Sequence, residues 1–197
     1  MKTDICAKQI ILDSAIVAFA QKGYAGTSLK DILKATRLSK PTLYYYFKSK
    51  AGLFRAILDF AYDECFRLMS EAVRDKSRCE EILVALASAL FHFSENNKNL
   101  TRLIFSTVFA APQEIPQGSV NKKKRRRNFE LVHGFIRQAQ KHKEIDSKYG
   151  SLELAHGIYG AISHQIRTQL LMSKGHLDAA KAKRMVALFL NGARKKI

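Results

Sequence analysis

Two groups of residues in this chain have types and spacings that could do chemistry. In the stretch SKPTLYYYFKSK, Ser39 to Lys50, three tyrosines and three lysines crowd around a proline and a Ser/Thr pair. Phenols and ammonium groups are donors for phosphate oxygens, and phenol rings stack on sugars and base edges. The second group is a pair of E-x-x-H motifs, Glu130/His133 and Glu153/His156. This is the spacing at which helices of a bundle present a carboxylate and an imidazole to a di-metal site. Such a site needs one glutamate from each of two further helices; Glu71, Glu81 and Glu95 are available, but none lies plainly on an apolar face. A di-metal helical bundle therefore stands as the alternative reading. No Gly-rich phosphate loop, nucleophile elbow or HExxH occurs, so no catalytic residue, metal ligand set or cofactor is expected and the chain reads as a non-enzyme. His92, His142, His164 and His176 read as satisfied or exposed side chains.

The elements that position these residues follow from periodicity and punctuation. Apolar residues recur at spacings of three and four, and only three prolines and ten glycines interrupt 197 residues. That pattern predicts an all-α fold of about nine helices. A first helix is expected from Asp4 to Gln21, closed by Gly23. A short one follows over Leu29–Ala35, with Thr27 or Ser28 as cap and Asp31 completing a capping box. A third starts after Ser39, with Pro41 in its first turn, where a missing N–H does no harm. Two short helices joined so tightly form a helix-turn-helix. At about 100° per residue Leu43, Tyr46 and Phe47 share the core face, Pro41 and Tyr45 point away from it, and Thr42 and Tyr44 flank them. Tyr44, Tyr45 and Lys40 are thus left outside, suited to phosphate or base edges. Later helices are expected over 49–73, 79–97, 99–110, 120–142, 152–174 and 177–194, with a loop from Pro112 to Ser119.

Net charge is +17, and it is unevenly spread: nine Lys/Arg against three Asp/Glu over residues 1–50, seven against eight over 51–111, and eighteen against six over 112–197. Two basic regions flank a neutral, aromatic-rich middle, and a polyanion is the obvious partner for at least one. The run Lys122 to Arg127 leads straight into the apolar pattern of Phe129, Val132, Ile136 and Ala139, so it reads as a solvated helix start or a loop; anionic-ligand attraction or auxiliary DNA contact are the alternatives. Cys6, Cys65 and Cys79 fit no metal or redox spacing and read as reduced thiols. The run AIVAFA, Ala15 to Ala20, is too short to span a bilayer, so no export or membrane segment and a cytoplasmic location are expected.

The order Ile11-Leu12, Ala15, Phe19, Gly23-Tyr24, Thr27-Ser28, Ile32 and LSKPTLYYYFKSKAGLF, Leu38 to Phe54, resembles the DNA-binding domain of the tetracycline-repressor (TetR) family. The resemblance covers the first fifty to sixty residues and is slight beyond them. It implies a helix-turn-helix domain over 1–48 and a ligand-binding and dimerisation domain of roughly six helices over 49–197. Carried over residue by residue, it implies Lys40, Pro41, Thr42 and Tyr45 near base edges, behind the Ser39 cap. Thr27, Ser28, Tyr44 and Lys50 would meet phosphates, and Lys30 either. The expected partners are a double-stranded DNA operator, a small-molecule effector and a second copy of the chain. Two departures stand out: the family usually has a small residue where Leu33 stands and glycine where Arg37 stands.

For the remainder, the expected function is a ligand-responsive repressor. Tyr62, Phe66, Phe91, Phe105, Phe109 and His133 are the candidate walls of an effector pocket, since such pockets are aromatic and aliphatic with few polar groups. Ala155, Ile158, Tyr159, Ile162, Ile166 and Leu170, with Met185, Val186, Phe189, Leu190 and Ala193, form apolar stripes on the last two helices. Gly157, Gly160 and Ala161 allow close approach there. Two such helices per subunit can build a four-helix interface across a two-fold axis, a pattern that intramolecular core would share.

Overall fold

The computed structural model describes residues 2–108, 110–111, 113–172 and 175–193, with side chains from Ala7 to Gly192 within those ranges. Among them are nine helices and no strand: α1 (Lys2–Gly26), α2 (Leu29–Thr36), α3 (Lys40–Phe47), α4 (Lys50–Ala72), α5 (Cys79–Asn96), α6 (Lys98–Ser106), α7 (Lys122–Lys141), α8 (Ser151–Met172) and α9 (Ala179–Ala193). The all-α expectation holds. By compactness the chain divides into Met1–Ala61 with Asn97–Lys122, and Tyr62–Asn96 with Lys123–Ile197. This division is not the one expected at residue 48. The first unit takes in α6, which packs on α1, and α4 supplies its first half to one unit and its second half to the other.

In the first unit α1 packs against α2, α3 and α6. Ile11, Ala15, Ile32, Leu43, Leu53 and Ile57 are fully buried, and Phe19 meets Phe54 edge-on at 5.1 Å. Burying each large side chain of this kind contributes about 1.5–3 kcal/mol. The regular course of α1 breaks at Gly23, whose φ of 68° and ψ of 174° carry the chain out of the helix, and one more turn takes it to Gly26. That backbone conformation suits only a residue without Cβ. The glycine thus ends the main helix as its position predicts, two residues beyond Gln21. Helix α6 stops at Ser106, short of the expected residue 110. Ser106 Oγ donates to Leu103 O at 2.9 Å and Thr107 Oγ1 to Ile104 O at 2.7 Å. Such side-chain bonds compete with helical amides.

The second unit is built around α5, which packs on α8 and α9. Its buried residues, Cys79, Ile82, Leu83, Leu86, Ala87, Leu90, Phe91, Phe93 and Ser94, go most of the way round the helix. An interior element is expected to look like this. The start of α5 is capped from a distance, because Glu144 Oε2 accepts from Cys79 N at 2.8 Å. A carboxylate is thereby placed at the positive end of the helix dipole. In the expected dimer stripe, Ala155, Ile158, Ile162, Ile166, Val186 and Leu190 are buried within this unit. Among the described residues, the large apolar side chains of α8 and α9 that stay outside are Leu152, Leu171, Met172 and Leu188, the last 76% exposed. Periodicity reports a buried face without saying whose partner buries it. The Ala193 side chain is not described, and Lys174 and Arg194, the expected ends of the last two helices, lie outside the described residues.

Candidate nucleic-acid interface

The site is assembled from α2, its turn and α3. Helix α2 starts with the expected capping box: Ser28 Oγ accepts from Asp31 N at 3.1 Å, and Asp31 Oδ2 accepts from Ser28 N at 3.1 Å and from Ser28 Oγ at 2.9 Å. Two amides that the helix start would leave unpaired are satisfied reciprocally. These bonds from Ser28, with Lys22 and Lys34 nearby, hold the Asp31 carboxyl below its ordinary range. The helix ends on Arg37, whose φ of 57° and ψ of 16° put a side chain where glycine is usual. The cost of that conformation is about 1 kcal/mol. Thr36 Oγ1 accepts from Leu38 N at 3.3 Å across the turn. Leu33 is half-buried and its carbonyl receives the Arg37 N–H at 3.1 Å.

Ser39 caps α3 by accepting from Thr42 N at 3.3 Å, and its hydroxyl lies 2.8 Å from that of Thr42. With the start fixed, the faces sort as the helical period requires. Leu43 and Phe47 are buried, Tyr46 is half-buried, Tyr44 is exposed and Tyr45 is 73% exposed. Lys40 and Pro41 are exposed, and the Lys40 ammonium lies 5.7 Å from the Tyr44 ring. Lys40, Pro41, Tyr44 and Tyr45, with the half-buried Thr42, therefore form one open polar and aromatic surface. Lys30 and Ser28 are exposed on α2 and its cap.

Two residues expected at the DNA backbone are engaged internally. Thr27 is only 1% exposed, and its hydroxyl donates to Gly23 O at 2.7 Å, with Ala18 O at 3.1 Å also in reach. Lys50 Nζ donates to Thr27 O at 2.9 Å and sits 4.1 Å from the centroid of Tyr24. Two residues that hold the site stand within the stretches that carry the resemblance, but nothing in the resemblance gives them a role of their own. Tyr24 is one. The other is Gly52, where a Cβ would overlap the Phe47 carbonyl oxygen. Its amide donates to Ser49 Oγ at 2.9 Å, capping α4. The α3–α4 corner therefore closes only over a residue with no side chain. A glycine three residues after a capping serine was the available signal.

The second unit contains a different polar cluster. Asp63 Oδ2 pairs with Lys124 Nζ at 2.6 Å, and Asp63 Oδ1 with Arg127 Nη2 at 2.9 Å. Lys124 and Arg127 hold the Asp63 carboxyl below its usual range. The Arg127 guanidinium lies 4.1 Å over the Phe66 ring, a cation–π contact. Asn128, 2% exposed, donates to Tyr62 O at 2.9 Å. Tyr62 and Phe66 thus come together with Arg127 and Asn128. His133 lies 3.4 Å from Glu130 Oε2 and 3.0 Å from Ser151 Oγ, with its ring stacked 6.2 Å from Phe129. Burial pushes the nearby Tyr159 phenol up to about 12. Phe91 is fully buried on α5, Phe105 is half-buried on α6, and Phe109 lies outside the described residues. Two open clefts, one lined by Arg78, Glu80, Glu81, Val84 and Lys183 and one by Gly134, Arg137, Gln138 and Lys141, contain none of the six expected pocket residues.

The E-x-x-H motifs do not combine. Glu153 Oε2 accepts from Gly150 N at 3.3 Å, while His156 is exposed beside Phe129 at 4.6 Å between rings. Among the described residues no three His, Cys, Asp or Glu side chains are grouped to hold a metal ion, and the di-metal alternative is not favoured. Nor is any described helix long and apolar enough to cross a membrane.

Residues 11–57 match the bacterial regulatory proteins of the tetR family. The probable HTH-type transcriptional regulator YttP of Bacillus subtilis is 29% identical over 106 residues, 53% of this chain and 51% of that protein. The HTH-type transcriptional repressor ComR of Escherichia coli is 46% identical over 78 residues, 40% of this chain and 35% of that one. The chain spans about half the length, or less, of these relatives. Among solved structures, the regulator FadR of Bacillus subtilis, in complex with stearoyl-CoA, superposes with a TM-score of 0.80 at 20% identity, covering 94% of this chain and 99% of that one. At that identity the likeness speaks for the fold.

Proposed function

We infer, from the chain's membership of the TetR family of transcriptional regulators, that it reads a near-palindromic DNA operator as a homodimer and represses transcription until a small ligand releases it. One observation carries this reading: α3 keeps Leu43 and Phe47 inside while leaving Lys40, Pro41, Thr42, Tyr44 and Tyr45 on one accessible face. In the major groove, Lys40, Thr42 and Tyr45 reach base edges, and Tyr44, Ser28 and Lys30 serve the backbone. A two-fold pair sets two such helices about 34–36 Å apart, one turn of duplex. If the dimer neutralises about eight phosphates, log K falls with log salt at a slope near −7.

Dimerisation through α8 and α9 uses what the monomer leaves uncovered: Leu152, Leu171 and Leu188, with Gly160, around which an added Cβ would meet no atom within 4 Å. The effector is a small, largely apolar or amphipathic molecule. Tyr62, Phe66 and His133 supply aromatic surface, and the cations of α7 suit a ligand with an acidic head group, of the kind that stearoyl-CoA presents to the FadR fold neighbour. A ligand that prefers a conformation with wrongly spaced reading helices shifts the population off DNA. Mobility shift against a selected operator duplex, with and without candidate acyl compounds, tests both halves. Salt-insensitive binding contradicts the DNA reading. Unchanged operator affinity and unchanged melting temperature with every ligand contradict the effector reading.

A further inference from the structure

We propose that Lys50 is a positioning residue that fixes the start of α2 against α4, and not a direct ligand of the DNA backbone; the proposal rests on the DNA-reading role inferred above. Its ammonium joins three stretches of chain. It donates to Thr27 O at 2.9 Å, immediately before the Ser28 cap of α2. It also lies 4.1 Å from the Tyr24 ring, in the turn that follows Gly23. Its own backbone begins α4. Tyr24 is in turn held by Phe54, edge-on at 5.1 Å, and by Phe19, stacked at 5.9 Å. Thr27 is locked by its hydroxyl to Gly23 O. The carbonyl that receives Lys50 therefore sits on a rigid aromatic base.

The cap orients what α2 offers to a phosphate. Within the first turn, Asp31 N is taken by Ser28 Oγ and Ile32 N bonds Ser28 O. The amides left over are those of Leu29 and Lys30. Any slack in Thr27 tilts these amides and the Lys30 side chain together. A lysine that has already exchanged water for a carbonyl and a ring gives up both contacts to reach a phosphate, so it adds little to counterion release. Burial lowers the Lys50 pKa, which agrees with that loss of water. Lys40 is the contrast, exposed and with a loose 5.7 Å approach to Tyr44.

The test uses the full chain and a duplex that it selects from a random-sequence pool, with affinity measured across a range of salt for wild type, Lys50→Met, Lys50→Arg and Lys30→Ala. Lys50→Met is expected to bind about tenfold more weakly at every salt concentration with the wild-type slope, because geometry rather than charge is lost. Lys50→Arg recovers part of the affinity at the same slope. Lys30→Ala, at an exposed lysine that serves the backbone, lowers the slope by about 0.9 per subunit. A slope for Lys50→Met that is also shallower by about 0.9 per subunit overturns the proposal in favour of direct phosphate contact. Wild-type affinity with a reduced melting temperature overturns it in favour of a purely structural role. Absence of wild-type binding at any salt overturns the DNA reading itself, and this assignment with it.

Discussion

Helices α3 and α7 both begin with lysine next to aromatic residues, one cation in α3 and a run of six in α7, and they spend those groups in opposite ways. At α3 the cation and phenols have few internal partners: Lys40 is exposed, Tyr45 stands clear of the core, and the cap is made by uncharged Ser39. At α7 the run is partly folded inward. Asp63 takes Lys124 and Arg127, Phe66 lies under Arg127, and Arg126 reaches Glu130 at 3.5 Å. Positive charge at a helix start is unfavourable to the dipole in both, so neither segment is there to stabilise its own helix. Cationic and aromatic side chains are thus left open at the start of α3 and partly engaged by neighbouring carboxylates at the start of α7.

The largest effect that can break this contrast lies at the corner behind α3. Gly52→Ala forces a methyl group onto the Phe47 carbonyl, and a clash with backbone has no flexible side chain to absorb it. The expected cost is about 2–3 kcal/mol, seen as a clear fall in melting temperature together with loss of operator binding in a mobility shift. Next comes the direct comparison of the two surfaces. Tyr45→Ala is expected to weaken operator binding by about 1–3 kcal/mol without changing the melting temperature, whereas Lys123→Ala and Arg125→Ala leave operator affinity within about twofold. A comparable loss from Lys123→Ala or Arg125→Ala would make the α7 run a second DNA contact.

A smaller effect sharpens the account of α7. The Asp63 carboxyl titrates below its ordinary value in the folded chain. Its contribution is therefore fully present above about pH 4 and is lost as pH falls through the folded value. Because the pair is half exposed, Asp63→Asn is expected to cost at most about 1 kcal/mol at neutral pH and to remove that acid-side slope from a series of melting curves. The smallest change concerns the turn of the reader. Arg37→Gly relieves a left-handed residue and is expected to stabilise by about 0.5–1 kcal/mol, a rise in melting temperature of about 1–4 °C, with operator affinity unchanged.

What could be read from the sequence here was local. Ser28 with Asp31, Ser39 with Pro41, and the inward Leu43 and Phe47 against the outward Tyr45 all depend on residues within two turns of each other, and the structure has each as expected. The left-handed Arg37 was legible only through the family resemblance, since glycine usually stands at that place in the family. The rest depends on chain brought from far away. Nothing near Lys50 announces the Thr27 carbonyl, and nothing near Arg127 announces Asp63. The stripe from Ala155 to Ile166 looks the same whether α5 or a second subunit covers it. Gly52 is intermediate, with its cap visible in the sequence and its close approach to Phe47 O visible only in the fold.

Selection of bound duplexes from a random-sequence pool tests the central claim most directly, because it reports affinity, symmetry and spacing together. The account predicts enrichment of an inverted repeat whose half-sites are centred about one helical turn apart, and loss of that enrichment with Tyr45→Ala. Recovery of no enriched sequence, or of an asymmetric site still selected when Lys40 and Tyr45 are both replaced by alanine, would contradict it.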